Sequence, residues 1–137
     1  MRFMIVVKAT RESEAGVMPG EKLMAAMADF HAQLARAGVL LDGAGLHRSR
    51  EGWRVHYHDS NRRVVDGPFA DTRDLIAGYT IIQVSSREEA LEWTRRFPNP
   101  AGEEGVTSIE VRQLFELEAF AQGEAVKRFR ELNARAT

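Results

Sequence analysis

The spacing of apolar residues changes along the chain, and each change predicts an element. Phe3, Ile5 and Val7 alternate with Met4 and Val6, so Phe3 to Lys8 reads as a strand that is apolar on both faces. After the polar stretch Thr10 to Gly16, read as a loop, Pro19 suits a first helical turn. Leu23, Met27, Phe30 and Leu34 then follow the i, i+4, i+7, i+11 spacing of one helix face, which predicts a helix over about 20–37, with Gly38 in the place of a C-terminal cap. Val39 to Leu41 resumes β-like sequence, but Gly43 and Gly45 interrupt it, as at a bulge or a close approach of backbone. Trp53, Val55 and Tyr57 alternate with Arg54, His56 and His58, and Asp59-Ser60-Asn61 turns the chain into Arg62 to Val65. That pattern is a hairpin with a polar tip.

Gly78 to Val84 has the strongest strand composition, through Tyr79, Thr80, Ile81 and Ile82. Ser85 and Ser86 are each followed three residues later by Glu88 and Glu89, which offers two overlapping capping boxes for a second helix. Ala90, Trp93, Thr94 and Phe97 form its face, and Pro98-Asn99-Pro100 ends it. A last strand is expected over Ser108 to Leu117, with Ile109, Val111, Phe115 and Leu117 on one side. Ala125, Phe129, Leu132 and Ala136 then keep helical spacing amid Lys127, Arg128, Arg130 and Arg135.

The order is β-α-β, a hairpin, β-α-β and a tail helix. It predicts an α+β fold, a ferredoxin-like split β-α-β antiparallel sheet with an inserted hairpin and both helices on one face. Residues 1–120 form the expected domain and 121–137 a C-terminal helical extension. Helices on one face leave the second apolar face of Phe3 to Val7 uncovered, and such a patch usually marks an interface, so a face-to-face homodimer with isologous contacts is expected. The basic tail helix reads as packing within that dimer, or as an arm for an acidic partner.

Composition narrows the classes. Nineteen Lys and Arg against twenty Asp and Glu give a formal charge of −1, so no nucleic acid or anionic membrane is expected as a partner. The chain has no cysteine, which removes disulfides, thiolate metal sites and cysteine nucleophiles. The apolar opening is too short for a signal peptide and no run reaches the length of a membrane span, so a cytoplasmic location is expected. His56 and His58 share a strand face but lack a third ligand nearby, so no metal is expected. There is no Walker loop, nucleophile elbow or dinucleotide fingerprint, and no cofactor is expected either.

The candidate chemistry gathers at Asp66-Gly67-Pro68-Phe69. Asp66 can bond the backbone two residues on, Gly67 permits positive φ, Pro68 fixes its own φ, and Phe69 reads as a buried anchor that pins the corner. His31 borders the apolar stripe of the first helix. If it faces Asp66 across a cleft, the imidazole can take a proton while the carboxylate orients it. The plainer reading makes His31 a boundary residue bonded to a backbone carbonyl, and Asp66 a turn former. Asp71, Arg73 and Tyr79, on or after the same loop, could bind an anionic ligand with Gly67, Pro68 and Phe69.

Asp66-Gly67-Pro68-Phe69 and the following Ala70 to Tyr79, the opening Met1 to Thr10, and Gly38-Val39-Leu40-Leu41 before Gly43 and Gly45 together resemble the YCII-related family, in its DGPF-domain branch. The resemblance runs to about residue 120 and includes Arg95 to Pro100 and Ile109 to Arg112. It implies a dimeric α+β barrel. It also implies a cleft holding a histidine and an aspartate, here His31 and Asp66, with acid/base elimination or hydrolysis of a small molecule as one activity. The other implied role is a non-catalytic ligand-binding or regulatory partner associated with a sigma factor. Where the branch carries Gly-Glu-Gly-Leu, this chain has Gly43-Ala44-Gly45-Leu46, so any role of that carboxylate is absent or moved to Asp42.

Overall fold

A computed structural model describes residues 1–70, 72–120 and 123–136. Four strands, β1 (Arg2–Lys8), β2 (Leu40–Gly45), β5 (Ile76–Gln83) and β6 (Ile109–Gln113), form an antiparallel sheet in the order β2-β5-β1-β6. This is the split β-α-β arrangement, since α2 (Glu21–Arg36) leads from β1 towards β2 and α3 (Arg87–Arg95) connects β5 to β6. Strands β3 (Trp53–His58) and β4 (Asn61–Asp66) pair only with each other among the described residues, as a separate two-stranded hairpin. Helix α4 (Glu124–Ala136) is the last element in chain order.

Register decides what each face carries. Opposed residues in antiparallel strands share a face. Phe3 lies opposite Ile82, Ile5 opposite both Thr80 and Val111, and Thr80 opposite Gly43, so this set points one way. Phe30 and Leu34 of α2 and Ala90 of α3 close over it, and Ile5, Leu34 and Ile82 are fully buried. Trp93 and Phe97 set their rings edge-on to Phe30, with centroids 6.2 and 5.4 Å away. Leu34→Ala, at the centre of this layer, would remove contacts worth about 2–5 kcal/mol.

Local signals act where expected in some places and are displaced in others. Gly38 follows α2 with φ +75, the left-handed geometry of a helix end. Ser86 caps α3 by accepting from the Glu89 N–H at 3.1 Å, while Glu89 reaches back to Ser85, accepting from its N–H at 2.9 Å and its hydroxyl at 2.7 Å. The two expected boxes are thus one shared cap. Gly20, not Pro19, is the N-cap of α2. The segment read as a loop holds one helical turn, α1 (Arg11–Glu14), set by a Thr10/Ser13 capping box. Gly43 and Gly45 lie within β2 itself, beyond a register shift between Leu40 and Asp42.

The last strand ends earlier than its composition suggests. After Gln113, only Leu114 N–H follows it onto β1, donating to the Arg2 carbonyl at 2.9 Å. The chain then enters a 3-10 turn at Leu117–Ala119, and Phe115, expected on the buried side, is 76% exposed with its ring against Phe120.

Candidate functional site

The Asp-Gly-Pro-Phe turn is clamped from outside the hairpin. The 3-10 turn Ser49–Glu51 runs beside it, and Gly67 N–H donates to the Gly52 carbonyl at 2.9 Å. The Ser49 hydroxyl donates to the Glu14 carboxylate and accepts from Phe69 N–H at 3.0 Å, while Ser49 N–H donates to the second Glu14 oxygen at 2.9 Å. Glu14 of α1 therefore orders both a turn and a loop distant in sequence. The Gly67–Pro68 peptide bond is cis. Gly67 is needed here for space and not for positive φ, because a Cβ would fall 1.9 Å from the Ser49 carbonyl oxygen.

Phe69 is half-buried, and its partner is charged. The Arg54 guanidinium lies 3.9 Å from its ring centroid. The corner is thus fastened to β3 and to the Ser49–Glu51 turn, with Phe69 half-buried where the sequence predicts a buried anchor.

His31 occupies a different layer. Its Nδ1 is 2.7 Å from the Met27 carbonyl oxygen and its Nε2 is 2.8 Å from the Thr80 hydroxyl. A carbonyl only accepts, so Nδ1 carries the proton, and in the neutral ring Nε2 accepts from Thr80. Thr80 is 2% exposed, so this bond ties α2 to the centre of β5. Phe30 and Phe97 meet the imidazole edge-on at 5.8 and 6.1 Å. Neither ring nitrogen is bonded to Asp66, which ends β4, exposed and opposite Trp53.

Tyr79 belongs to the uncovered sheet face. It lies opposite Ala44 and Val6, and its hydroxyl donates to Asp42 Oδ2 at 3.1 Å, while Asp42 Oδ1 accepts from Gly43 N–H at 2.8 Å. The hydrogen bond to the Asp42 carboxylate and its negative charge hold the Tyr79 phenol above the ordinary tyrosine range. Arg73 is exposed in the 3-10 turn Thr72–Asp74, and Asp71 lies outside the described residues. The predicted residues that are described thus fall into four places: the clamped turn, Arg73 in the 3-10 turn after it, the imidazole under the sheet, and the tyrosine on the open face.

Three partners, Thr80, Ser49 and Glu14, were missed in the sequence. Thr80 is the one polar residue among the inward positions of β5 that flank it, Gly78 and Ile82, and a histidine on the covering helix is its natural match. Asp42, which accepts from Tyr79, is the position to which the branch's carboxylate moves, if its role is kept at all. Ser49 and Glu14 carry no local signal, because their meeting depends on where two loops come together.

A cavity of about 540 Å³ lies elsewhere, between the segment Ala9 to Glu12 and the loop ending at Thr107. Arg11, Thr10 and Thr107 line it beside Gly105 and Val106, with Glu12 as its one acidic wall. Among the described residues no helix is long and apolar enough to cross a membrane.

Comparison with known proteins supplies the family. An uncharacterized protein of Rhizobium meliloti (strain 1021) is 30% identical over 94 residues, which cover 69% of this chain and 74% of that protein. The model of the YCII-related domain matches residues 1–124, from the first strand into the start of the tail. On that match, the chain belongs to the YCII-related family.

Proposed function

We propose that the chain works as a homodimer, joined through the uncovered faces of its two sheets, that binds a small organic anion, with His31 serving the architecture and not proton transfer. Surface area carries the dimer. The chain exposes 10324 Å², whereas a folded monomer of 15.4 kDa exposes about 7,200 Å². The excess, on the order of 3,000 Å², exceeds the roughly 1,000–2,500 Å² that each chain of an obligate dimer hides, the separate hairpin and the tail helix adding to it. Met4, Val6, Tyr79 and Ile81 contribute an apolar part of it, half-buried on a face no helix covers.

The engagement of both His31 nitrogens supports binding without acid/base chemistry. A base there would first have to shed a bond to a buried hydroxyl, and the Asp66 carboxylate is not its partner. The cavity beside Arg11 is the favoured place for the anion, because its size is that of small-molecule sites and it offers a guanidinium with two hydroxyls. Elimination or hydrolysis through His31 and Asp66 is the competing reading.

A thermal-shift screen of small carboxylates separates the two. The expected result is that a carboxylate raising the melting temperature of the natural chain still does so in His31→Ala, though from a lower starting point, and no longer does so in Arg11→Ala. Loss of the shift in His31→Ala with its retention in Arg11→Ala would return the site to the imidazole.

A further inference from the structure

The register of the sheet places four residues in one row across its uncovered face. Asp42 lies opposite Ile81, Ile81 opposite Met4, and Met4 opposite Arg112. The row therefore reads acid, apolar, apolar, base from β2 to β6. Its two ends are roughly 14 Å apart at the usual spacing of strands, too far to pair within one chain. Asp42 is exposed beyond its bonds to Tyr79 and Gly43, and the Arg112 side chain is 75% exposed, paired with Glu110 at 3.2 Å.

Such a row is complementary to its own reverse. Resting on the face-to-face dimer proposed above, we infer that the two-fold axis runs parallel to the strands between β5 and β1, so that Asp42 meets the partner's Arg112 and Arg112 meets the partner's Asp42. That axis lays the row antiparallel on its copy, apolar centre on apolar centre, with one ion pair at each end. An axis across the strands would put β2 on β2 and β6 on β6. Asp42 would then face an identical carboxylate and Arg112 an identical guanidinium, and like charges across an interface select against that arrangement. Either axis keeps the strands of the two sheets nearly aligned, one of the two common arrangements, so the end charges decide between them. The neighbouring row, Ala44, Tyr79, Val6 and Glu110, keeps the same apolar centre and adds no opposing charge at its β2 end.

Charge reversal tests the pairing. Asp42→Arg or Arg112→Asp alone should raise the dimer dissociation constant by about tenfold or more, and the double swap Asp42→Arg with Arg112→Asp should restore it. Circular dichroism identifies any variant that has lost its fold. Because the chain contains no cysteine, single-cysteine chains provide a second measurement. Mixed Asp42→Cys and Arg112→Cys chains should join through a bis-maleimide matched to the ~10 Å separation of packed sheets, and neither variant should join to itself. Self-joining of Asp42→Cys, or a dimer indifferent to both reversals, overturns the pairing and leaves the dimer standing. A natural chain that stays monomeric overturns the dimer, and the pairing with it.

Discussion

The position with least freedom is Gly67. Its α-carbon faces the Ser49 carbonyl so closely that a methyl group would overlap it, so Gly67→Ala should cost about 3 kcal/mol, read as a fall in the chemical denaturation midpoint. A loss under about 0.5 kcal/mol would show that the turn yields readily. Tyr79 gives a spectroscopic check on the open face. Its phenol is held above the ordinary tyrosine range first by the hydrogen bond to Asp42 and then by that carboxylate's charge, so Asp42→Asn should bring its absorbance titration down towards the ordinary tyrosine range. An unchanged titration would mean that the two groups do not meet. The phenol's preference for its neutral form adds stability at pH below the ordinary tyrosine value, which is lost as pH rises above it.

At the scale of elements, β6 and the segment that follows it are tied to β1 by charge as well as by backbone. Arg2 holds Glu116 through two bonds of 3.1 Å, and Lys8 meets Glu110 at 3.4 Å. Arg2 keeps the Glu116 carboxyl below the ordinary glutamate value, and Arg112 followed by Lys8 does the same for Glu110. Carboxyls lowered in the fold bind fewer protons than in the unfolded chain, so their contribution is present above the ordinary glutamate value and is lost as pH falls through the lowered one. Stability should therefore drop on acidification below the glutamate range, and Arg2→Ala should flatten that drop. A profile unchanged by Arg2→Ala would remove this pair from the account. Both pairs are largely exposed, so each effect is small.

The same scale shows what the sequence could disclose. The order of strands and helices, the C-terminal Gly38 and the Ser86 cap follow from periodicity and short-range chemistry, which act within a few residues. The Thr80 partner of His31 and the Ser49 clamp on Phe69 depend on register and loop meetings across 49 and 20 residues. No local pattern carries those. Phe115 and Leu117 follow strand alternation, yet the chain leaves β1 after Leu114, and alternation alone does not say where pairing stops.

The whole molecule presents more apolar surface than one copy can cover. Besides the open sheet, Trp53 and Tyr57 on the hairpin are 66% and 68% exposed, and Phe129 and Leu132 on α4 are 57% and 58% exposed. An isolated two-stranded hairpin is marginal in water, so its exposed aromatic residues are an added reason to expect a covering partner. Sedimentation equilibrium at micromolar concentration tests this most directly, with the natural chain beside Ile81→Glu, whose new charge would lie in the middle of the proposed contact. The account predicts twice 15.4 kDa for the natural chain and the single mass for the variant. A natural chain of single mass, or an Ile81→Glu chain that remains as dimeric as the natural one, would contradict it.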